Sequence, residues 1–256
     1  LVGSEMCIRD RHKVLGLESP DGKITAAQVA EAYEAHIQND SFEHMVQPKM
    51  VYISNPTEVG TIYSKAELTA LSETCHKYGL YLFLDGARLG YGLAAPDNDL
   101  TLPEIAALCD VFYIGGTKVG ALFGEAVVIK NPELAQDFRY LIKQNGGMLA
   151  KGRLLGLQFD ALFTDGLYQE ISAHAIAMAE KLRGAFTAKG YNYLAPNRTN
   201  QIFVIVPDAH LAKISEQFEY SYDQRIDATH SCVRFCTGWA TREENVDALI
   251  RCVEKL

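Results

Sequence analysis

No apolar run in this sequence approaches the ~18 residues that a membrane-spanning helix needs, so a membrane partner is not expected. Positive charge is also scarce. The 24 lysines and arginines stand against 32 acidic residues, giving a formal net charge of -8 and a pI near 5.4. A nucleic-acid partner or an anionic-membrane surface is therefore not expected. The six cysteines at 7, 75, 109, 232, 236 and 252 include no pair at the two-residue spacing of a zinc knuckle or redox motif. Cys232 and Cys236 flank Val233-Arg234-Phe235 in a strand-like run, which reads as buried free thiols rather than metal ligands. There is no internal repeat and no low-complexity segment. Residues 1–11 carry charges throughout and lack a continuous apolar core, so no signal peptide is expected and a reducing, cytoplasmic compartment is.

What remains is the composition of an ordinary globular protein, 48% hydrophobic and 22% charged. Its 256 residues suffice for one large domain or two modest ones with a self-supporting core. Small-molecule chemistry or protein partners are the classes left open. The run from Leu1 to Arg11 resembles translated sequencing-adapter sequence. It is set aside as a probable artefact, with the natural sequence expected to begin near His12 and the run itself expected to be loosely attached.

Apolar periodicity predicts alternating helices and strands through the first half. Helical spacing over 24–39 opens at Thr25, and 50–54 is a short apolar strand. Ser64-Lys65-Ala66-Glu67 is a capping box for a helix to about Tyr78, ended by Gly79. Residues 81–84 form a near-continuous apolar strand of the kind buried in a parallel sheet. A helix opening at Thr101-Leu102-Pro103-Glu104 and strands at 111–114 and 126–129 follow. From Pro132 to about Lys189 the pattern is helical, with a long helix near 167–189. Strands at 201–206 and 231–236, a helix near 209–218 and a capping box at Thr241-Arg242-Glu243-Glu244 for a terminal helix close the chain. The pattern predicts an α/β large domain with a mostly parallel sheet over 12–165, and a smaller α+β domain over 166–256.

Two strand ends carry the chemistry. One reads Leu84-Asp85-Gly86-Ala87-Arg88, the other Tyr113-Ile114-Gly115-Gly116-Thr117-Lys118-Val119-Gly120. An Asp-Gly after a strand is usually only a turn, and a lysine between glycines usually a solvated loop residue. Their order, each behind an apolar strand, points instead to a pyridoxal 5'-phosphate site at the carboxyl ends of an open sheet. Lys118 is placed to form a Schiff base with the cofactor aldehyde. Asp85 is placed to pair with the pyridinium nitrogen, so that the ring can act as an electron sink. Arg88, three residues beyond, brings a fixed positive charge suited to the cofactor's phenolate oxygen.

The series Ser54-Asn55-Pro56-Thr57-Glu58-Val59-Gly60-Thr61, Leu84 to Leu89, Gly116 to Leu122 and Val233-Arg234-Phe235 resembles the low-specificity threonine aldolases. These belong to the beta-eliminating lyase group of fold-type-I pyridoxal phosphate enzymes. The match runs from about His12 to the C-terminus, and the ordered set is far more specific than any one motif. The resemblance implies the roles given above for Lys118, Asp85 and Arg88, and makes Arg234 the small-domain arginine that holds the substrate carboxylate, for which a guanidinium fork is suited. It also implies a homodimer or homotetramer, and a small-molecule amino acid substrate.

Two departures stand out. Relatives normally begin with a further segment carrying a glycine-containing phosphate loop and a ring-stacking aromatic, typically histidine, and neither precedes His12. On that account the large domain is expected to be incomplete at its N-terminus and the chain as written to bind the cofactor weakly, with Thr117 offering one hydroxyl contact. Many relatives also carry a histidine near Thr57 that contacts the substrate hydroxyl. Here Thr57 could only orient a water or the substrate, whereas Glu58 could act as a base if it points inward. The expected activity is cleavage of a β-hydroxy-α-amino acid such as threonine to glycine and an aldehyde. Another pyridoxal phosphate-dependent lyase or an aminotransferase, and an inactive fragment that retains only the scaffold, are the alternatives.

Overall fold

The computed structural model describes residues 13–256, so the expectation for residues 1–11 lies outside the described residues. Four strands form the first sheet in the order β1 (Met50–Ser54), β2 (Tyr81–Asp85), β3 (Val111–Gly115) and β4 (Glu125–Ile129). β1, β2 and β3 run parallel, and β4 returns antiparallel to β3 through the tight Lys118 loop.

Local sequence explains the helices between them. The capping box predicted at Ser64 forms, and Thr25 and Thr101, read from the sequence as helix starts, form capping boxes as well, opening helices Lys65–Tyr78, Ala26–Ile37 and Leu102–Leu108. Gly79 ends the first of these in the left-handed conformation at φ 63°. Strand alternation then sorts the two faces of the sheet. Val51, Ile53, Leu82, Leu84, Phe112 and Ile114 are buried in one core with Leu68, Leu71, Cys75 and Ile105 from the helices. The opposite face carries Tyr52, Phe83 and Tyr113. It is more open, with Met50 49% and Val127 50% exposed.

The second sheet is antiparallel throughout, in the order β5 (Asn192–Tyr193), β6 (Gln201–Pro207), β8 (His230–Cys236), β7 (Ser221–Arg225). Its inner face packs Ile202, Val204, Val206, Val233 and Phe235 against Leu249 and Val253 of the terminal helix. Helix Leu167–Ala188 joins the two cores. Tyr168, Ala175 and Ile176 belong to the first and Met178, Leu182 and Phe186 to the second.

Three expectations need correction. The helical stretch after Pro132 is four helices, Pro132–Ala135, Phe138–Gln144, Arg153–Phe163 and Leu167–Ala188. The helix expected near 209–218 is Asp208–Ile214. The terminal helix runs Glu243–Glu254 with Arg242 as its N-cap and no side-chain cap. Thr241 does not form the predicted capping box because its hydroxyl accepts the Gly238 N–H at 2.8 Å instead. β5 and β7 were not foreseen: β5 is two residues long, and β7 is exposed along its whole length with no apolar alternation to reveal it.

Candidate active site

The ends of β2 and β3 are forced together by two glycines. A β-carbon on Gly86 would lie 2.0 Å from the Tyr113 carbonyl oxygen, and one on Gly115 would lie 2.2 Å from that of Ala87. With no side chain in the way, Gly115 N–H donates to the Gly86 carbonyl at 2.9 Å. This contact sets the Asp85 turn beside the Lys118 loop. Asp85 itself is fixed at both oxygens, Oδ1 accepting the Ala87 N–H at 2.9 Å and Oδ2 accepting the Tyr52 hydroxyl.

The Lys118 loop is braced from several directions. Gly116 N–H donates to the Glu125 carboxylate at 2.5 Å, Val119 and Ala121 N–H donate back to the Gly116 carbonyl, and the Tyr91 hydroxyl donates to the Lys118 carbonyl. Val119 is fully buried while Thr117 and Lys118 lie at the loop surface, the Lys118 amine partly withdrawn from solvent. Burial of the amine, then the nearby Arg88 guanidinium, lower the Lys118 pKa, against weaker opposing effects of Glu58, Asp85 and Glu125. A lysine whose neutral form is favoured is a better nucleophile at moderate pH. Thr117 spends its hydroxyl on a long 3.4 Å bond to the Gly124 carbonyl.

Arg88 is largely buried, with 13% of its side chain exposed, and pairs with Glu58 at 3.6 Å. Glu58 is 70% exposed, so its carboxylate stands over the cleft rather than inside it. Thr57 is not brought to the cluster. It is 1% exposed, its hydroxyl lies 2.7 Å from that of Thr61, and it accepts the Thr61 N–H. The Thr57 side chain thus serves the loop itself.

Arg234 approaches from β8. Its Nη1 donates to Gln201 Oε1 at 3.3 Å, its guanidinium lies over the Phe203 ring at 5.9 Å, and its buried Nε has no hydrogen-bond partner among the described residues. Such an unsatisfied donor costs about 1–3 kcal/mol unless a ligand or water accepts from it. Cys236, expected to be buried, is exposed at the end of β8, whereas Cys232 is buried as expected. Partial desolvation raises the Cys236 thiol pKa, and the charges of Arg234, Arg88 and Lys118 oppose it. Arg234 is linked to the Glu58 loop through Gln201, whose Nε2 donates to the Glu58 carbonyl. Among the described residues no group of histidine, cysteine or acidic side chains could hold a metal ion.

Sequence reasoning missed Tyr52, Tyr113, Gln201 and Cys236. Strand alternation carried a partial signal for the tyrosines. Tyr52 lies opposite Phe83 and Val111 opposite the same residue, so both phenols fall on the Asp85 face. Nothing local marks Gln201, whose partners lie far away in sequence.

The geometry has counterparts among known proteins. The family model described as beta-eliminating lyase matches residues 6–209. A low specificity L-threonine aldolase of Pseudomonas sp. (strain NCIMB 10558) is 33% identical over 241 residues, spanning 93% of this chain and 67% of that protein. Another from Pseudomonas aeruginosa is 30% identical over 240 residues, with 93% and 67% covered. The solved structure of Leishmania major threonine aldolase superposes with a TM-score of 0.92 at 44% identity, covering 95% of this chain and 70% of that one.

Proposed function

The chain belongs to the beta-eliminating lyase family, and from that premise we propose that it is a pyridoxal 5'-phosphate-dependent aldolase cleaving a β-hydroxy-α-amino acid such as threonine to glycine and an aldehyde. The observation that carries this reading is the convergence of Asp85 and Lys118 at adjoining strand ends, with Arg88 beside them.

The residues fit the cofactor. Lys118 offers an amine of lowered pKa to the aldehyde, Asp85 offers a positioned carboxylate to the ring nitrogen, and Arg88 offers a largely buried cation to the phenolate oxygen. Bound there, the cofactor supplies an electron sink for the pair released at the α-carbon. Arg234 holds the substrate carboxylate, its guanidinium retaining donors that Gln201 does not occupy. By fixing the carboxylate it fixes which α-carbon bond is presented for cleavage. Of the two candidates for taking the substrate's hydroxyl proton, Thr57 is enclosed, which leaves Glu58, whose exposed carboxylate would have to turn inward from its pairing with Arg88.

The same reading makes the chain a homodimer or homotetramer. Supporting it, Leu122 is 84%, Tyr140 75% and Leu157 58% exposed. Gln158, beside Leu157, accepts the N–H groups of Leu122 and Phe123. This apolar surface therefore adjoins the Lys118 loop.

Incubation with saturating pyridoxal phosphate and threonine should release equal amounts of glycine and acetaldehyde, and Lys118→Ala should release neither. Pyruvate and ammonia from serine, or amino transfer to a keto acid, without aldehyde from threonine, would overturn the aldolase assignment.

A further inference from the structure

We propose that Tyr52, assisted by Tyr113, is a positioning residue for Asp85, gripping its carboxylate from the flanking strands so that its remaining acceptor positions face the ring nitrogen of the cofactor. The inference rests on the cofactor reading of the preceding subsection.

An ionised carboxylate has about four acceptor positions. Tyr52 takes one on Oδ2 and the Ala87 N–H takes one on Oδ1. Donors on both oxygens fix the plane of the group, which a single bond would leave free to rotate. The Tyr52 ring is itself held. It stacks on Phe83 with centroids 5.3 Å apart and planes 8° from parallel, and Phe83 meets Tyr113 at 6.2 Å. A row of three rings from three adjacent strands therefore runs beside Asp85.

Tyr113 is kept a donor. Burial first, then hydrogen bonding with Asp85 and the charge of that carboxylate, raise its phenol pKa well above the ordinary tyrosine range. The sheet face on which this happens also bears the half-exposed Met50 and Val127.

The test has two arms in the full chain. Without cofactor, ultraviolet titration of Asp85→Asn should show phenol ionisation moved to lower pH than in the wild type. An unchanged phenol titration would overturn the proposal. With saturating pyridoxal phosphate, the pH midpoint of the visible cofactor band should move in Tyr52→Phe in the same direction as in Asp85→Asn, but by less, and turnover should fall roughly 10-fold on the strength of one charge-assisted bond. Phe retains the stacking ring, and circular dichroism of Tyr52→Phe should match the wild type. A Tyr52→Phe band that titrates as the wild type does, while that of Asp85→Asn shifts, would overturn the positioning role and leave the cofactor reading standing. A wild type with no visible band at saturating cofactor would overturn both.

Discussion

Gln201 reaches across to Glu58: its Nε2 donates to the Glu58 carbonyl at 3.4 Å. The same side chain accepts Nη1 of Arg234 through Oε1 at 3.3 Å, so one buried amide links the loop of the first sheet to the arginine of the second. Its neighbours extend the clamp. Asn197 donates to the Val59 carbonyl at 2.9 Å and Thr199 to the Gly60 carbonyl at 2.9 Å, so three consecutive carbonyls are held by side chains from 197–201.

Replacing Gln201 with leucine should therefore loosen Arg234 and Glu58 together. The buried partners left unpaired should lower stability by about 1–3 kcal/mol. Because Arg234 is assigned to ground-state carboxylate binding, KM for threonine should rise ~10-fold with a smaller change in kcat. Steady-state kinetics beside a denaturant melt would check this, and an unaltered KM would separate Gln201 from substrate binding.

Gly115→Ala should be far more damaging than most glycine substitutions. The added carbon would meet the Ala87 backbone at 2.2 Å from its oxygen and 2.5 Å from its carbonyl carbon, and backbone cannot swing away as a side chain tip can. A loss of stability of ~3 kcal/mol or more is expected, in the range of severe core defects. Gly184→Ala, where nothing lies within 4 Å, is the control and should be neutral or slightly stabilising. Equal melting temperatures for the two variants would contradict the close approach of β2 and β3.

These contrasts explain what the sequence could disclose. Capping boxes at Thr25, Ser64 and Thr101 and the glycine stop at Gly79 are local devices, and each operates where the sequence placed it. Asp85 and Arg88 could be marked as candidates because they end one apolar strand, and Lys118 because it follows another. Thr241 failed as a cap because Gly238, on the preceding turn, competes for its hydroxyl. Thr57 was misjudged because Thr61 and the 13–24 segment enclose it, with Thr61 bound in turn to the Asp21 carbonyl at 2.6 Å. The Gln201 link to Glu58 spans 143 positions, a separation at which no local pattern informs.

Asp85→Ala should remove the carboxylate proposed to pair with the ring nitrogen and leave Tyr52 and Ala87 N–H without their acceptor. A fall in kcat of ~100-fold or more is expected, comparable with deleting another electrostatic stabiliser of a reacting centre. Because Asp85 lies at a strand end and is only partly buried, the fold should survive, which circular dichroism would verify. Near-normal turnover in a folded variant would show that the ring is stabilised by another group.

The lowered pKa of Lys118 gives a prediction that needs no cofactor. Its causes are burial first and the Arg88 guanidinium second, so removing the guanidinium should return part of the shift. Between the lowered value and the ordinary 10.5, the unfolded chain binds more protons than the folded one. This lysine therefore opposes folding at neutral pH, and the opposition fades as pH rises through that window. The neutral amine also reacts with trinitrobenzenesulfonate, so labelling of Lys118 should rise with pH around a midpoint below that of exposed lysines such as Lys143. Arg88→Leu should move that midpoint upward but not to the ordinary value, since burial remains. Peptide mapping by mass spectrometry reads both sites in one sample. A Lys118 midpoint equal to that of Lys143, or one unmoved by Arg88→Leu, would show that the guanidinium does not tune the amine assigned to the cofactor.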